Sequence, residues 1–182
     1  MHVTILEPIL ALRLMQLNLG TLSVGLIFCI MPLVYAITVV VTRAMPKWVD
    51  KRVRIIIGIA MNFVAFLCVG PSLLLNFPDS ITIMCIGHAL AGFFGSQTIL
   101  LGMLEMIEDG CERFPDKELL VASMSAGAYR GLIGITQMIG PLYGSIVTKY
   151  LGFRLAMDII AFVDLAMAIA YFALAGGPKV FY

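Results

Sequence analysis

Runs of about 20 apolar residues, separated by short charged or Pro/Gly-marked connections, constrain this chain more than any other feature. A helix of about that length crosses roughly 30 Å of hydrocarbon at about 1.5 Å per residue. It does so with its backbone polar groups paired internally, as lipid requires. Five such segments are predicted: Thr21 to Val41, Val53 to Leu75, Ser80 to Met103, Leu119 to Thr148 and Leu155 to Ala175. A shorter stretch, Val3 to Leu17, precedes them and carries Glu7 and Pro8 near its start. It reads as the second half of a longer span, a truncated first helix. The implied fold class is an all-α, multi-pass integral membrane bundle of six helices, one unit over residues 1–182 with the lipid bilayer as its solvent.

Composition agrees and excludes other classes. Hydrophobic residues make up 61% of the chain and charged residues 13%, against about 25% charged in soluble domains. With 12 basic and 11 acidic residues the net charge is +1, so no basic surplus exists to track a phosphate backbone, and no nucleic-acid partner is expected. Cys29, Cys68 and Cys85 fall inside apolar runs and Cys111 in a connection, without Cys-x-x-Cys or Cys/His spacing; they read as packing residues, not disulfides or metal ligands. The apolar stretch after Met1 holds Glu7 and Arg13 and lacks a basic start, unlike a signal peptide. No nucleophile–base pair or metal-ligand set is visible, so neither catalysis nor a metal or cofactor is expected.

Orientation follows from where Lys and Arg collect, because basic loops stay on the cytoplasmic side. Arg43, Lys47, Lys51, Arg52 and Arg54 cluster after the second segment. Alternation from there puts Arg113, Lys117 and Lys179 on the same side and leaves Lys149 and Arg154 opposite. The first helix then starts inside and ends outside near Asn18. The connection from Glu105 to Glu118 is predicted to be the long polar loop, a solvated acidic face or, alternatively, a gating or docking element.

Ionisable groups within spans cost several kcal/mol unless paired or hydrated, and each needs a reason. Glu7, His88 and Asp164 fall roughly 12 to 15 Å from the outer ends of their helices, and Arg130 reaches a similar level from the inner end. Glu7 is the candidate for proton coupling, since a carboxylate in low dielectric gains proton affinity; the other reading is that Glu7-Pro8 caps a helix start. His88 titrates near neutrality and is either an assistant in proton movement or a hydrogen-bonded packing residue. Arg130 and Asp164, on consecutive antiparallel spans, read as a buried ion pair. The other reading turns Arg130 toward a central cavity with Gly134, Gln137 and Pro141, on one helical face at spacings of four, seven and eleven, where it would hold an anionic group. Gly87, Gly92, Gly95 and Gly102 in the fourth segment, and Gly127, Gly131 and Gly134 in the fifth, are expected where helices approach closely.

The string Gly134-Ile-Thr-Gln-Met-Ile-Gly140-Pro141-Leu-Tyr-Gly144 resembles the Gly-x-x-x-x-x-Gly-Pro-x-x-Gly element of antiporters of the major facilitator superfamily. Glu7-Pro8, Gly70-Pro71, and Gly152-Phe153 followed by Met157-x-Ile-Ile-x-x-x-Asp164 extend the resemblance to the vesicular amine and polyamine transporter family, in the order of its seventh to twelfth helices. The resemblance covers nearly the whole chain. It implies a C-terminal half bundle, proton-coupled antiport of a small organic solute such as an amine by alternating access, and a vesicular or other organelle membrane. It also implies that Glu7 matches an acid of the translocation pathway, and that the partner is an N-terminal half, a second copy or another membrane subunit. The loop Thr42-Arg43-Ala-Met-Pro-Lys-Trp-Val-Asp50-Lys51-Arg52 keeps the basic character of the family's conformational latch without its glycines. Thr98 and Arg130 stand where the vesicular amine carriers place acids. The competing expectation is a non-transporting structural subunit of a larger membrane complex, or an inactive fragment.

Overall fold

A computed structural model describes residues 2–44, 50–73 and 75–174; Lys47, Lys179 and the Arg43 side chain lie outside the described residues. Among them are six α-helices and no strand: α1 (His2–Gln16), α2 (Thr21–Ala44), α3 (Lys51–Val69), α4 (Ile81–Arg113), α5 (Glu118–Leu151) and α6 (Phe153–Leu174). The last five are long and apolar enough to cross a membrane, while α1 has 15 residues.

Local chemistry sets the boundaries. Glu7 and Pro8 lie inside α1, so they do not cap its start. That helix stops at Asn18, whose φ of 57° is left-handed, a conformation asparagine tolerates better than most residues. Asp50 caps α3, its carboxylate accepting the Arg52 N–H at 3.1 Å. The same helix ends at Val69 and not at Leu75, because Pro71 has no N–H with which to continue it. The predicted polar loop is mostly helix: α4 runs to Arg113, and one 3-10 turn, Pro115–Lys117, leads into α5. Glu105, Met106 and Glu108 are good helix formers, and cations of α3 sit opposite their carboxylates. At 33 and 34 residues, α4 and α5 are each about 50 Å long, so their ends can stand clear of hydrocarbon.

Contacts define the packing. α3 and α4 form an antiparallel hairpin, with Lys51 on Glu108 at one end, Gly58 on Thr98 midway and Gly87 on Val69 at the other. α6 runs antiparallel to α3, with Phe63 and Phe162 ring centroids 5.6 Å apart. α2 lies beside α4, where Gly92 meets the Met31 backbone, and α5 touches both α4, through Tyr129, and α1, through Gly144 against Ile5 and Ile9. The start of α3, the end of α4 and the start of α5 thus share one end of the bundle, here called the basic end. The core joins Leu6, Leu10 and Leu14 of α1 to Phe66, Met84 and Met157. By contrast α5 buries Gly140 and Gly144 while exposing Leu132, Ile135, Met138, Leu142 and Ile146.

The opposite end is held by α6. Arg154 donates to the carbonyls of Pro71 (2.5 Å), Ser72 (3.3 Å) and Phe77 (2.8 Å), and Asp158 accepts the Leu73 N–H at 3.2 Å. Arg13 adds an ion pair from α1 to Asp79. These groups lie outside the helices: the Arg154 fork gives donors to the three carbonyls, of which Ser72 also accepts the Phe77 N–H, and Asp158 serves the Leu73 N–H. Arg154→Ala is expected to destabilise the bundle by about 1–3 kcal/mol, the cost of stranding partly buried acceptors. A thermal unfolding midpoint in detergent micelles equal to that of the parent would contradict this.

Candidate functional site

Four helices, α1, α2, α4 and α5, line a half-open cavity of about 620 Å³. Its polar groups are Glu7, Tyr35, His88, Tyr129, Thr136 and Gln137, set among apolar residues that include Leu6, Phe28 and Met31. A space of about 590 Å³ adjoins it, sharing Glu7, Phe28 and Gln137 and adding Pro8 and Pro141.

Burial on either side of Glu7 explains its direction: Ile5, Leu6, Ile9 and Leu10 are buried in the core, while Glu7 is exposed and lines the cavity. On α4, His88 is 1% exposed and meets the Phe28 ring edge to face, centroids 6.2 Å apart. Prolines shape the other two walls. Pro32 and Pro141 have no N–H to give to the carbonyls of Phe28 and Gln137, four residues earlier, so these two carbonyls lack their usual helical donor. Glu7 supplies a carboxylate, and no Lys or Arg is among the described lining residues. With these aromatic residues and one carboxylate, the cavity can hold a cation with an apolar body.

Glu7, His88 and Gln137, singled out in the sequence, come together here, and Pro141 joins Glu7 and Gln137 in the adjoining space. Arg130 and Gly134 do not line the cavity; both are exposed, and Gly134 has nothing within 4 Å of a built Cβ. The lining face of α5 is Tyr129, Leu132, Ile133, Thr136 and Gln137, turned from the predicted face by about one residue, or roughly 100°. The buried Arg130–Asp164 pair does not describe the geometry either: Asp164 is 3% exposed on α6, whereas Arg130 is exposed. A buried pair needs both charges desolvated.

The basic end holds a cluster that spacing along the chain did not reveal. Arg52 Nε donates to Glu105 Oε1 at 2.7 Å, the Tyr171 hydroxyl donates to Glu105 Oε2 at 2.5 Å, and Arg52 Nη2 lies 3.7 Å from Asp109. Lys51 pairs with Glu108. A second cavity, about 690 Å³, is lined by Arg52, Glu105, Asp109, Tyr171, Thr98 and Tyr129, with an apolar floor from Ile55 and Ile59. Deeper in the bundle, Arg54 donates to Gln97 at 2.9 Å and Gln97 donates to Thr42, which links α3, α4 and α2. One missed signal was visible in the sequence. Phe28, Pro32 and Tyr35 recur at intervals of four and three, marking a single face of α2. Compared with protein-family models, curated proteins and solved structures, the chain has no significant match.

Proposed function

We propose that this chain is a membrane transporter bundle that carries a small organic cation, such as an amine, in exchange for protons. The carrying observation is the central cavity, whose described lining combines the Glu7 carboxylate with the aromatic rings of Phe28, Tyr35 and Tyr129 and holds no basic side chain. Five helices able to cross a membrane support residence in the bilayer. Glu7 binds either a proton or the ammonium group, and that competition couples the two fluxes. The exchange mechanism, the major-facilitator-type arrangement and a vesicular or other organelle membrane follow the sequence resemblance. A partner bundle or second copy fits the exposed apolar side of α5, and alternating access is then a rocking of the two about the cavity.

The test is uptake of a labelled amine into proteoliposomes under an imposed pH gradient, by this chain alone and joined to an N-terminal bundle. Gradient-driven uptake by either form is expected. Its absence from both overturns the reading. The exposed length of α5 also favours a second reading, a non-transporting subunit of a larger membrane assembly; recovery from native membranes solely as a stable hetero-complex, without flux, would select it.

A further inference from the structure

α5 buries two of its 34 residues, Gly140 and Gly144. At about 100° per residue, Leu120, Gly127, Gly131, Gly134 and Met138 form a row on the far side of the helix from Tyr129, Ile133 and Thr136 of the cavity wall. All five are exposed, and nothing lies within 4 Å of a Cβ built on any of the three glycines. Arg130 borders this row. It is exposed, has no hydrogen bond or ion pair among the described residues, and shares its side of the helix with Gln137, an exposed lining residue of the cavity. Its level lies within the span: the neighbouring Tyr129 reaches the Ile99 carbonyl, and Thr98 meets Gly58, roughly 10 Å along α3 from Lys51 at the basic end.

We propose that this face of α5 seats one transmembrane helix of the partner bundle, packed on the glycine row and carrying an Asp or Glu at the level of Arg130. The inference rests on the partner bundle of the reading above, and names the surface it takes and the chemistry it brings. Charge carries the argument. A guanidinium facing hydrocarbon is costly, and a carboxylate matches its planar donors with two parallel hydrogen bonds. A second copy of this chain has no such carboxylate to offer. α5 has none after Glu118; of the acids away from the basic end, Glu7 faces the cavity, Asp79 pairs with Arg13, and Asp158 and Asp164 are buried on α6. Two copies joined through α5 would instead bring two Arg130 groups into one seam. The glycines supply the fit, because without side chains they let a second helix backbone approach closely. A helix seated there also stands beside Gln137 and narrows the open side of the cavity.

Synthetic transmembrane peptides test the pairing without requiring transport. Each is a Leu/Ala helix of about 20 apolar residues with one Gly-x-x-x-Gly step, bearing either Glu or Gln about seven residues from one end, the depth of Arg130. Association with the full chain is read as energy transfer between labelled partners in phosphatidylcholine vesicles at about pH 8. The Glu peptide is expected to bind at least about tenfold more tightly than the Gln peptide. Arg130→Glu is expected to erase that preference and to create one for a Lys peptide, a reversal that a lipid headgroup at Arg130 would not give. Gly131→Leu enters open space, so it is expected not to lower the thermal unfolding midpoint, yet to weaken Glu-peptide binding at least about tenfold. Equal binding of the Glu and Gln peptides to the parent overturns the proposal, and Arg130-dependent retention of phosphatidylglycerol would then assign the face to lipid. Glu-peptide binding untouched by Gly131→Leu also overturns it. So does self-association of the chain that the same substitution abolishes, which assigns the face to a second copy. A Glu preference without amine uptake leaves the interface standing and fails the transporter reading, whereas uptake by the joined form with no Glu preference does the reverse.

Discussion

Glu7→Gln is expected to abolish the pH dependence of cation binding and to weaken that binding about 10- to 100-fold. Glutamine keeps the shape and most of the hydrogen-bonding reach of glutamate but neither titrates nor carries charge. Glu7 is the carboxylate of the described cavity lining, so its loss leaves aromatic rings and neutral polar side chains to hold the ammonium group. A hydrogen bond to a charged partner contributes about 1.5–3 kcal/mol, which is the range of affinity stated, at about 1.4 kcal/mol per factor of ten. The sign of the pH effect in the parent protein follows from competition. In the proposed exchange protons compete with the cation for one site, so apparent affinity falls as pH falls. In the variant that slope is expected to vanish, measured as equilibrium binding of a labelled amine in detergent across a pH series. Retention of the parent slope would move the coupling role from Glu7 to His88, the histidine of the cavity lining.

Gly87→Ala is expected to cost about 2–3 kcal/mol of bundle stability, although it adds a single methyl group. A Cβ at position 87 would sit 2.5 Å from the Val69 nitrogen and 2.9 Å from the Ala65 carbonyl oxygen, both backbone atoms of α3. No rotamer change relieves a contact with backbone, so the two helices must separate along the α3–α4 seam. Gly127→Ala and Gly134→Ala supply the contrast, because nothing lies within 4 Å of either position. These two are expected to shift stability by less than about 1 kcal/mol, in the stabilising direction, through alanine's higher helix propensity. Thermal unfolding midpoints of the three variants in one detergent give the comparison. A midpoint for Gly87→Ala equal to those of the other two would refute the close seam.

The contrast between the two glycine groups shows where reading along the chain stops. Small residues at helical spacing mark faces that could approach a neighbour. In α4, Gly87 and Gly92 do so; in α5, Gly127, Gly131 and Gly134 face open space among the described residues. Spacing was the same kind of signal in both helices, and the difference lies in which helices α4 and α5 were given as neighbours. Arg130 and Asp164 teach a similar lesson. Their similar depth suggested a pair, but depth carries no information about rotation around the helix axis, and the exposed arginine and buried aspartate ended on unlike surfaces. A one-residue offset, about 100°, separates the predicted face of α5 from the observed one, and this sufficed to exchange Arg130 for Tyr129 at the cavity.

Helix number and character were legible from the sequence alone, because lipid-length apolar runs admit few other structures and Pro, Gly, Asn and Asp mark their ends. Glu7, His88 and Gln137 were legible as exceptions, polar groups in segments where each must have a reason. The connection from Glu105 to Glu118 does present a solvated acidic face, with Glu108, Asp109, Glu112, Asp116 and Glu118 exposed, but it is mostly helix and not a loop: Lys51 and Arg52 of α3 stand opposite Glu105, Glu108 and Asp109, and α4 runs to Arg113. Only the tertiary structure decided which faces meet, that Arg154 ties the connection between α3 and α4 to α6, and that Tyr129 lines both cavities. The physical reason is that burial of apolar surface is non-directional. It settles that helices pack, while rotation, register and the pairing of distant charges are settled by close contacts between residues far apart in the chain.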